Sequence, residues 1–131
     1  MSELLNELRK TGVFYVATVD EDGQPHVRPF GAAAEFEGKV YLCTNNTKAC
    51  YKQMIAEPRV EISGMQPDGT WLRLTAKLVR DDRDEAKEAM LRQNESLRGM
   101  YRVGDGIFEV LALTDVSCVK CSFTAPPVVI E

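Results

Sequence analysis

Apolar and polar residues alternate along several short segments of this sequence, which is the pattern of half-buried β-strands. In the longest such segment, Trp71–Arg80, one face is apolar and consists of Leu72, Leu74, Ala76 and Leu78. The other face is mixed and consists of Trp71, Arg73, Thr75 and Lys77. We expect the apolar face to lie in the core. Because a buried arginine requires an anionic partner, Arg73 beside Trp71 indicates that the mixed face is a subunit interface or the wall of a ligand site.

The same periodicity, together with turn residues, predicts the other elements of the fold. The predicted strands are Val13–Val19, His26–Phe36, Lys39–Thr44, Val60–Met65, Trp71–Arg80, Ile107–Leu113 and Val116–Phe123, the last two as a closing pair. The predicted helices span residues 2–11, Lys48–Glu57 and Asp82–Gln93, and Gly99–Gly106 is predicted to be a loop. Short connections between apolar strands favour antiparallel pairing. The expected fold class is therefore mainly β (α+β), an antiparallel closed or split β-barrel with a few flanking helices in one domain, residues 1–131.

Composition and charge narrow the class of protein. The chain has 131 residues, of which 44% are hydrophobic, and a formal net charge of -4, so it is long enough for one folded core. An acidic balance argues against binding of duplex nucleic acid, which usually needs a basic surface. The N-terminal segment is amphipathic, unlike the apolar leader of a secreted protein, and no segment has the apolar length of a membrane span. We therefore expect a cytoplasmic protein whose four cysteines are reduced.

The start of the second predicted helix, Asn45-Asn46-Thr47-Lys48, is a candidate anion site. Free backbone N–H groups and the positive end of the helix dipole attract an anion at such a position. Lys48 and Lys52 are four residues apart and project from the same side of the helix. Two lysines near a helix N-terminus oppose the dipole, and a bound phosphate would reverse the sign of that interaction. The alternative is that both lysines are merely solvated.

Arg28 lies on the extended segment that comes before this helix and precedes a run of small residues, Gly31–Ala34. Arg28 can therefore converge with Lys48, and the small residues would let a flat ring approach the backbone closely. The alternative is that the small residues accommodate a helix packed over the sheet.

The remaining reactive groups favour neither a metal site nor a catalytic relay. Cys118 and Cys121 are three residues apart on a predicted strand and would point to opposite faces, and no second pair of ligands accompanies them. His26 is the only histidine, so no other residue could supply the histidine of a nucleophile–histidine relay.

The order of several short segments resembles one known family. These segments are Val16–Asp20, Gly23–Pro29, Leu42–Lys48, Glu57–Gly64, Trp71–Lys77 and Phe108–Val110. In their order and spacing they resemble the pyridoxamine 5′-phosphate oxidase-like family of FMN-binding split barrels, over nearly the whole chain. The resemblance implies FMN as the cofactor and a homodimer with a flavin site at the subunit interface.

The resemblance also implies which residues bind the flavin. It assigns this role to Arg28, Pro29, Phe30, Thr44, Asn45, Lys48, Lys52, Trp71 and Arg73. Thr44 and Asn45 would approach the ring system or the ribityl chain, and Lys48 or Lys52 would approach the phosphate. Trp71 would touch the cofactor bound by the other subunit. Since the chemistry would be that of the flavin, we expect no dedicated catalytic side chain.

Two departures from the oxidases of this family bear on the reaction. The oxidases carry a second basic residue later on the strand of Arg28, where this chain has Ala32-Ala33-Ala34. They also carry a C-terminal Arg–His pair that this chain lacks. We therefore expect an FMN-dependent oxidoreductase that is not a pyridoxine phosphate oxidase and that reduces a small, flat acceptor, nitroaromatic or quinone-like, as in the short members linked to nitroimidazole reduction. The alternatives are a non-catalytic protein that binds flavin, haem or deazaflavin for electron transfer or storage, and an interaction barrel without a cofactor.

Overall fold

The computed structural model describes residues 2–131 and contains eight strands and three α-helices. The strands are β1 (Phe14–Val19), β2 (Pro25–Phe30), β3 (Ala33–Phe36), β4 (Lys39–Asn45), β5 (Arg59–Met65), β6 (Trp71–Asp81), β7 (Phe108–Cys121) and β8 (Val128–Ile130). The helices are α1 (Glu3–Arg9), α2 (Ala49–Ala56) and α3 (Asp84–Gln93), and a short 3-10 helix spans Glu95–Gly99. Within residues 2–131, no helix has the length and apolar character needed to cross a membrane.

All eight strands belong to one antiparallel sheet. Its strand order is β2-β1-β5-β6-β7-β4-β3, and β8 pairs with β7 beside this path. Among the described residues the two end strands, β2 and β3, do not pair with each other, so the sheet is not closed. The predicted fold class, a mainly β split barrel with flanking helices, is confirmed.

The prediction of two closing strands, Ile107–Leu113 and Val116–Phe123, is wrong. Both lie largely within the single strand β7, which runs antiparallel to β6 along most of its length. The polar residues between the two predicted strands form an irregularity and not a turn. The register with β6 shifts between Thr75 and Lys77, and Asp115 adopts a positive φ of 50°. A bulge bends a strand without reversing it.

The predicted extended segment His26–Phe36 is divided into β2 and β3. Gly31 and Ala32 lie between the two strands and carry the chain from one end of the sheet to the other. These two small residues therefore mark the place where the barrel is split. The strand β8 is not among the predicted elements, and it extends the sheet beyond the part of β7 that pairs with β4.

The alternation predicted for β6 is observed, and it places one face of this strand in the core. Leu72 and Leu74 are fully buried, whereas Arg73 between them is exposed. The two leucines pack with residues of α1, β1 and β5 in the larger of two apolar clusters. The smaller cluster joins α3, including the buried Met90, to β4 and β7. Full burial of one leucine side chain stabilises the fold by about 1.5–3 kcal/mol, so these clusters maintain the curled sheet.

Helix α3 covers the edge of β3 through side-chain amides. The Gln93 Nε2 donates to Glu35 O, and the Gln93 Oε1 accepts from Glu35 N–H, both at 2.9 Å. The Asn94 Nδ2 donates to Ala33 O at 2.9 Å. These amides take the place of a neighbouring strand at an otherwise open edge. They also fix the start of the 3-10 helix that follows α3.

Candidate functional site

A cleft of about 200 Å³ opens beside the end of β2. It is lined by β2, the β2–β3 connection, β4, the start of α2 and the segment around the 3-10 helix. Five of the nine residues predicted to bind a cofactor line it, and these are Arg28, Pro29, Phe30, Thr44 and Lys48. The structure therefore brings the strand of Arg28 next to the helix start of Lys48.

The Arg28 guanidinium is half-buried and hydrogen-bonded to neutral groups. Its Nη1 donates to Thr18 Oγ1 at 2.7 Å and to Val16 O at 3.2 Å, and its Nη2 donates to Gln53 Oε1 at 3.2 Å. The Thr18 hydroxyl donates to the same Gln53 Oε1 at 2.5 Å. Within residues 2–131, Arg28 forms no ion pair with a carboxylate. The charge is fixed in position but not neutralised, which favours an anionic ligand.

Helix α2 begins at the cleft without a capping side chain. Lys48 is the N-cap residue, and its side chain makes no capping hydrogen bond. The Oδ1 of Asn45 accepts from the Thr47 N–H at 3.0 Å, so this carbonyl does not cap the first turn of α2, whose N–H groups lack partners within the helix. Lys48 is exposed and, in the described part of the chain, forms no ion pair. An uncapped helix N-terminus next to a cation is suited to bind a phosphate.

Asn45 and Lys52 lie beside the cleft and are not part of its wall. The Asn45 Nδ2 donates to Tyr101 Oη at 3.4 Å, at the rim of the cleft. Lys52 lies one turn further along α2 and is exposed. Of the two lysines, Lys48 therefore lines the cleft and Lys52 does not.

Trp71 and Arg73 lie on the outward face of β6, and neither lines the cleft of its own chain. Arg73 forms an ion pair with Glu61 at 3.1 Å. The Trp71 ring packs against the ring of Phe123, with 4.7 Å between the ring centroids. The mixed face of β6 is thus an outer surface of the single chain.

An apolar part of the cleft wall comes from Leu97, Met100 and Tyr101. The Tyr101 ring stacks on Phe108 with 4.8 Å between centroids and 27° between the ring planes, while Met100 is 65% exposed. Sequence reasoning missed this wall because Gly99–Gly106 was predicted to be only a loop. A signal was present, since large apolar residues interrupt an otherwise charged and glycine-rich segment.

Cys43 and Cys50 also line the cleft, and both are free thiols. Burial raises the pKa of Cys43 to about 12, although the nearby Lys48 charge acts in the opposite direction. Thr44 Oγ1 and Cys50 Sγ lie 3.5 Å apart. The Cys43 thiol is therefore protonated at neutral pH, and it is unsuited to act as a nucleophile.

Comparison with known proteins identifies the family of this chain. Residues 1–114 match the family model of pyridoxamine 5′-phosphate oxidase. A NimC/NimA family protein from Clostridium acetobutylicum is 51% identical, with a TM-score of 0.91, and the match covers 97% of this chain and 91% of that chain. No curated protein matches the sequence.

Two more distant structures share the fold at 18% identity. A haem-binding protein from Mycobacterium smegmatis has a TM-score of 0.77, with 99% of this chain and 57% of that chain covered. A pyridoxamine 5′-phosphate oxidase-related, FMN-binding protein from Nostoc punctiforme has a TM-score of 0.65, with 89% and 82% covered. From the family match and the 51% identical structure, we conclude that this chain belongs to the pyridoxamine 5′-phosphate oxidase-like family.

Proposed function

We propose that this protein is a flavoprotein that binds FMN in the cleft beside β2. The observation that carries the proposal is the pair Arg28 and Lys48, two cations without a carboxylate partner among the described residues, at the uncapped start of α2. A phosphate group would be bound by both the cation and the helix N-terminus. The FMN-binding protein from Nostoc punctiforme, which shares the fold, supports this choice of cofactor.

Different residues of the cleft would hold different parts of the cofactor. Lys48 and the first turn of α2 would bind the phosphate, and Arg28, oriented by its neutral partners, would bind a further oxygen. Thr44 and Asn45 would bind polar groups of the ribityl chain, and Phe30 would flank the ring system. Bound FMN supplies hydride or electron transfer at its isoalloxazine ring. The protein orients this ring and limits the access of water, so no acid–base side chain is required.

We propose that a second copy of the chain completes the site. A cleft of about 200 Å³ is below the range of about 300–1,000 Å³ in which ligand sites usually fall. A cofactor placed there would be left partly in solvent in a single chain. A homodimer with the flavin at the subunit interface would cover it.

The outer face of the sheet is the surface proposed for this second copy. Strand register aligns one outward row across six strands, and this row consists of Pro29, Tyr15, Ser63, Arg73, Val119 and Val129. Tyr15 is 48% exposed, Val129 67%, and Phe123, which packs on Trp71, 85%. Exposed apolar residues grouped on one face mark an interaction surface. Because Pro29 also lines the cleft, pairing through this row would bring Trp71 of the partner subunit towards the flavin.

The proposed reaction is reduction of a small, flat, uncharged acceptor, nitroaromatic or quinone-like, by reduced FMN. Ala32 lines the cleft, and the two alanines after it are buried, so this segment supplies no cation for a second phosphate. Burial of a phosphorylated pyridine without a partner for its charge is costly. Leu97 and Met100 offer an apolar surface that suits a neutral ring.

Haem or deazaflavin, bound without catalysis, is the alternative, and a haem-binding protein shares the fold. Histidine is a common haem ligand, but His26 lies outside the cleft wall and pairs with Asp20 at 2.9 Å. The thiol of Cys43 is protonated at neutral pH. Both observations favour a flavin over haem, and the mass of the released cofactor separates a flavin from a deazaflavin.

We also propose that the protein acts in a reducing cytoplasm. Its four cysteines all lie within the described residues and are free thiols, which is usual for proteins of that compartment.

The absorption spectrum of the purified protein, followed by mass spectrometry of the released cofactor, tests the proposed function. We expect flavin absorption bands and a released molecule with the mass of FMN. The spectrum of a haem protein, or the mass of a deazaflavin, would contradict the proposal.

A further inference from the structure

We propose that Glu109 is a positioning residue that orients the start of α2 for phosphate binding, although it does not line the cleft. This inference rests on the proposed function. Glu109 lies on β7 and is only 4% exposed. Burial of a carboxylate is costly unless it is paired and hydrogen-bonded, so the groups that bind Glu109 indicate its role.

The two oxygens of Glu109 bind two different parts of the chain. Its Oε1 accepts from Arg80 Nε on β6 at 2.7 Å, and its Oε2 accepts from Asn46 Nδ2 at 2.9 Å. Oε2 also accepts a longer hydrogen bond, at 3.5 Å, from Arg80 Nη2. The Arg80 Nη2 also donates to Asp82 at 3.0 Å, so Arg80 is fixed from two sides. Because Arg80 neutralises Glu109, the carboxylate can anchor Asn46 without placing an unpaired negative charge near the phosphate site.

Asn46 is the residue through which Glu109 acts on the cleft. It lies between β4 and α2, and its Nδ2 also donates to Gly106 O at 2.9 Å. Its backbone N–H donates to Ile107 O at 2.9 Å. The neighbouring Asn45 bonds instead to Tyr101 at the rim of the cleft. The two asparagines thus tie the short connection to residues 101–109, and we infer that the orientation of the first turn of α2 depends on both.

Replacement of Glu109 by glutamine cannot preserve both of the short hydrogen bonds to this carboxylate. Arg80 and Asn46 each offer N–H donors to this position. A glutamine amide has one acceptor oxygen and one donor group, so either Arg80 Nε or Asn46 Nδ2 would face an N–H and lose its short hydrogen bond. If the bond to Asn46 is the one kept, it is no longer made to a charged acceptor and is weaker. The connection before α2 would then be less well fixed, whereas the groups that flank the flavin ring on β2 would be unaffected.

The test compares the affinities of FMN and riboflavin, which differ only in the phosphate, for wild type and Glu109→Gln. In Glu109→Gln we expect the Kd for FMN to rise about five- to twentyfold and the Kd for riboflavin to stay within about twofold. The matched control is Asp81→Asn, which makes the same charge change at a carboxylate bonded to Arg83 and Tyr41 and to no cleft residue. This control should change neither affinity, whatever its effect on stability.

A second variant keeps the Glu109–Arg80 pair intact. Asn46→Ala should show the same selective loss of FMN affinity, and the double variant should bind FMN no more weakly than the weaker single variant. Equal losses of FMN and riboflavin affinity in Glu109→Gln, or no loss, would overturn the inference and leave the flavin proposal standing. If wild type binds FMN and riboflavin equally, the phosphate contributes nothing to binding, and both the phosphate site and this inference are contradicted. If wild type binds neither, the proposed function falls with them.

Discussion

Replacement of Lys48 by alanine perturbs the proposed phosphate site most directly. Lys48 is exposed at the N-cap of α2 and forms no ion pair within residues 2–131, so its removal breaks no salt bridge in the cofactor-free protein. Loss of a cation that opposes the helix dipole should leave that form slightly more stable, by about 0.3–1 kcal/mol. A charge-assisted hydrogen bond to phosphate contributes about 1.5–3 kcal/mol. Because solvent screens an exposed side chain, we expect Lys48→Ala to lose binding free energy at the lower end of this range. That loss corresponds to a roughly tenfold higher Kd for FMN.

Lys52→Ala is the matched control, since it removes the same charge one turn further along α2, outside the cleft. Its Kd for FMN should stay within about twofold of wild type. Titration followed by quenching of flavin fluorescence measures both affinities, and the loss in Lys48→Ala should shrink at high salt because salt screens exposed charges. If only Lys52→Ala lost affinity, the phosphate contact would belong to Lys52. Wild-type affinity in both variants would refute a phosphate site at this helix start.

The dimer, one glycine and one carboxylate can each be tested separately. Light scattering should give about twice the chain mass of 14.6 kDa, and a monomer that still binds FMN would contradict the interface site. Gly64→Ala should lower the free energy of unfolding by about 1–3 kcal/mol, because a Cβ there would lie 2.8 Å from Thr11 Cγ2. Denaturant unfolding measures this loss of stability. The control is Gly99→Ala, where a Cβ would meet no atom within 4 Å. Equal losses of stability in the two variants would refute the packing argument. The hydrogen bond from Arg83 holds the pKa of Asp81 below its usual range, so this carboxylate stabilises the fold above about pH 4 and loses that effect as the pH falls. Asp81→Asn should therefore lower stability at neutral pH and flatten its decline in acid, whereas acid profiles parallel to wild type would contradict the pairing.

The framework of the sheet is predictable where burial alternates residue by residue. On β6, the exposed Arg73 between the buried Leu72 and Leu74 matches the pattern expected from the sequence. The bend in β7 is different, because a polar pair such as Thr114-Asp115 has the local character of a turn. Only the long antiparallel pairing with β6, a non-local interaction, makes it a bulge.

The site is predictable in part for a similar reason. The helix start at Lys48 is a predictable candidate because the anion-binding character of a helix start is local. The helix begins at Ala49, and of the two lysines Lys48 lines the cleft. The apolar residues around Met100 are visible in the sequence, but their position in the cleft wall was not predictable, since long-range contacts such as those of the Gln93 amide position that segment. The contribution proposed for a second copy would depend on contacts between chains and not on those within one chain.

Titration of the cofactor-free protein with FMN shows directly whether the cleft binds this cofactor. Flavin fluorescence should be quenched in a saturable way, and the end point should correspond to one FMN for each chain. Riboflavin should bind more weakly, because it lacks the phosphate that Lys48 and the first turn of α2 are proposed to hold. Absence of saturable quenching at micromolar protein concentrations would contradict the account.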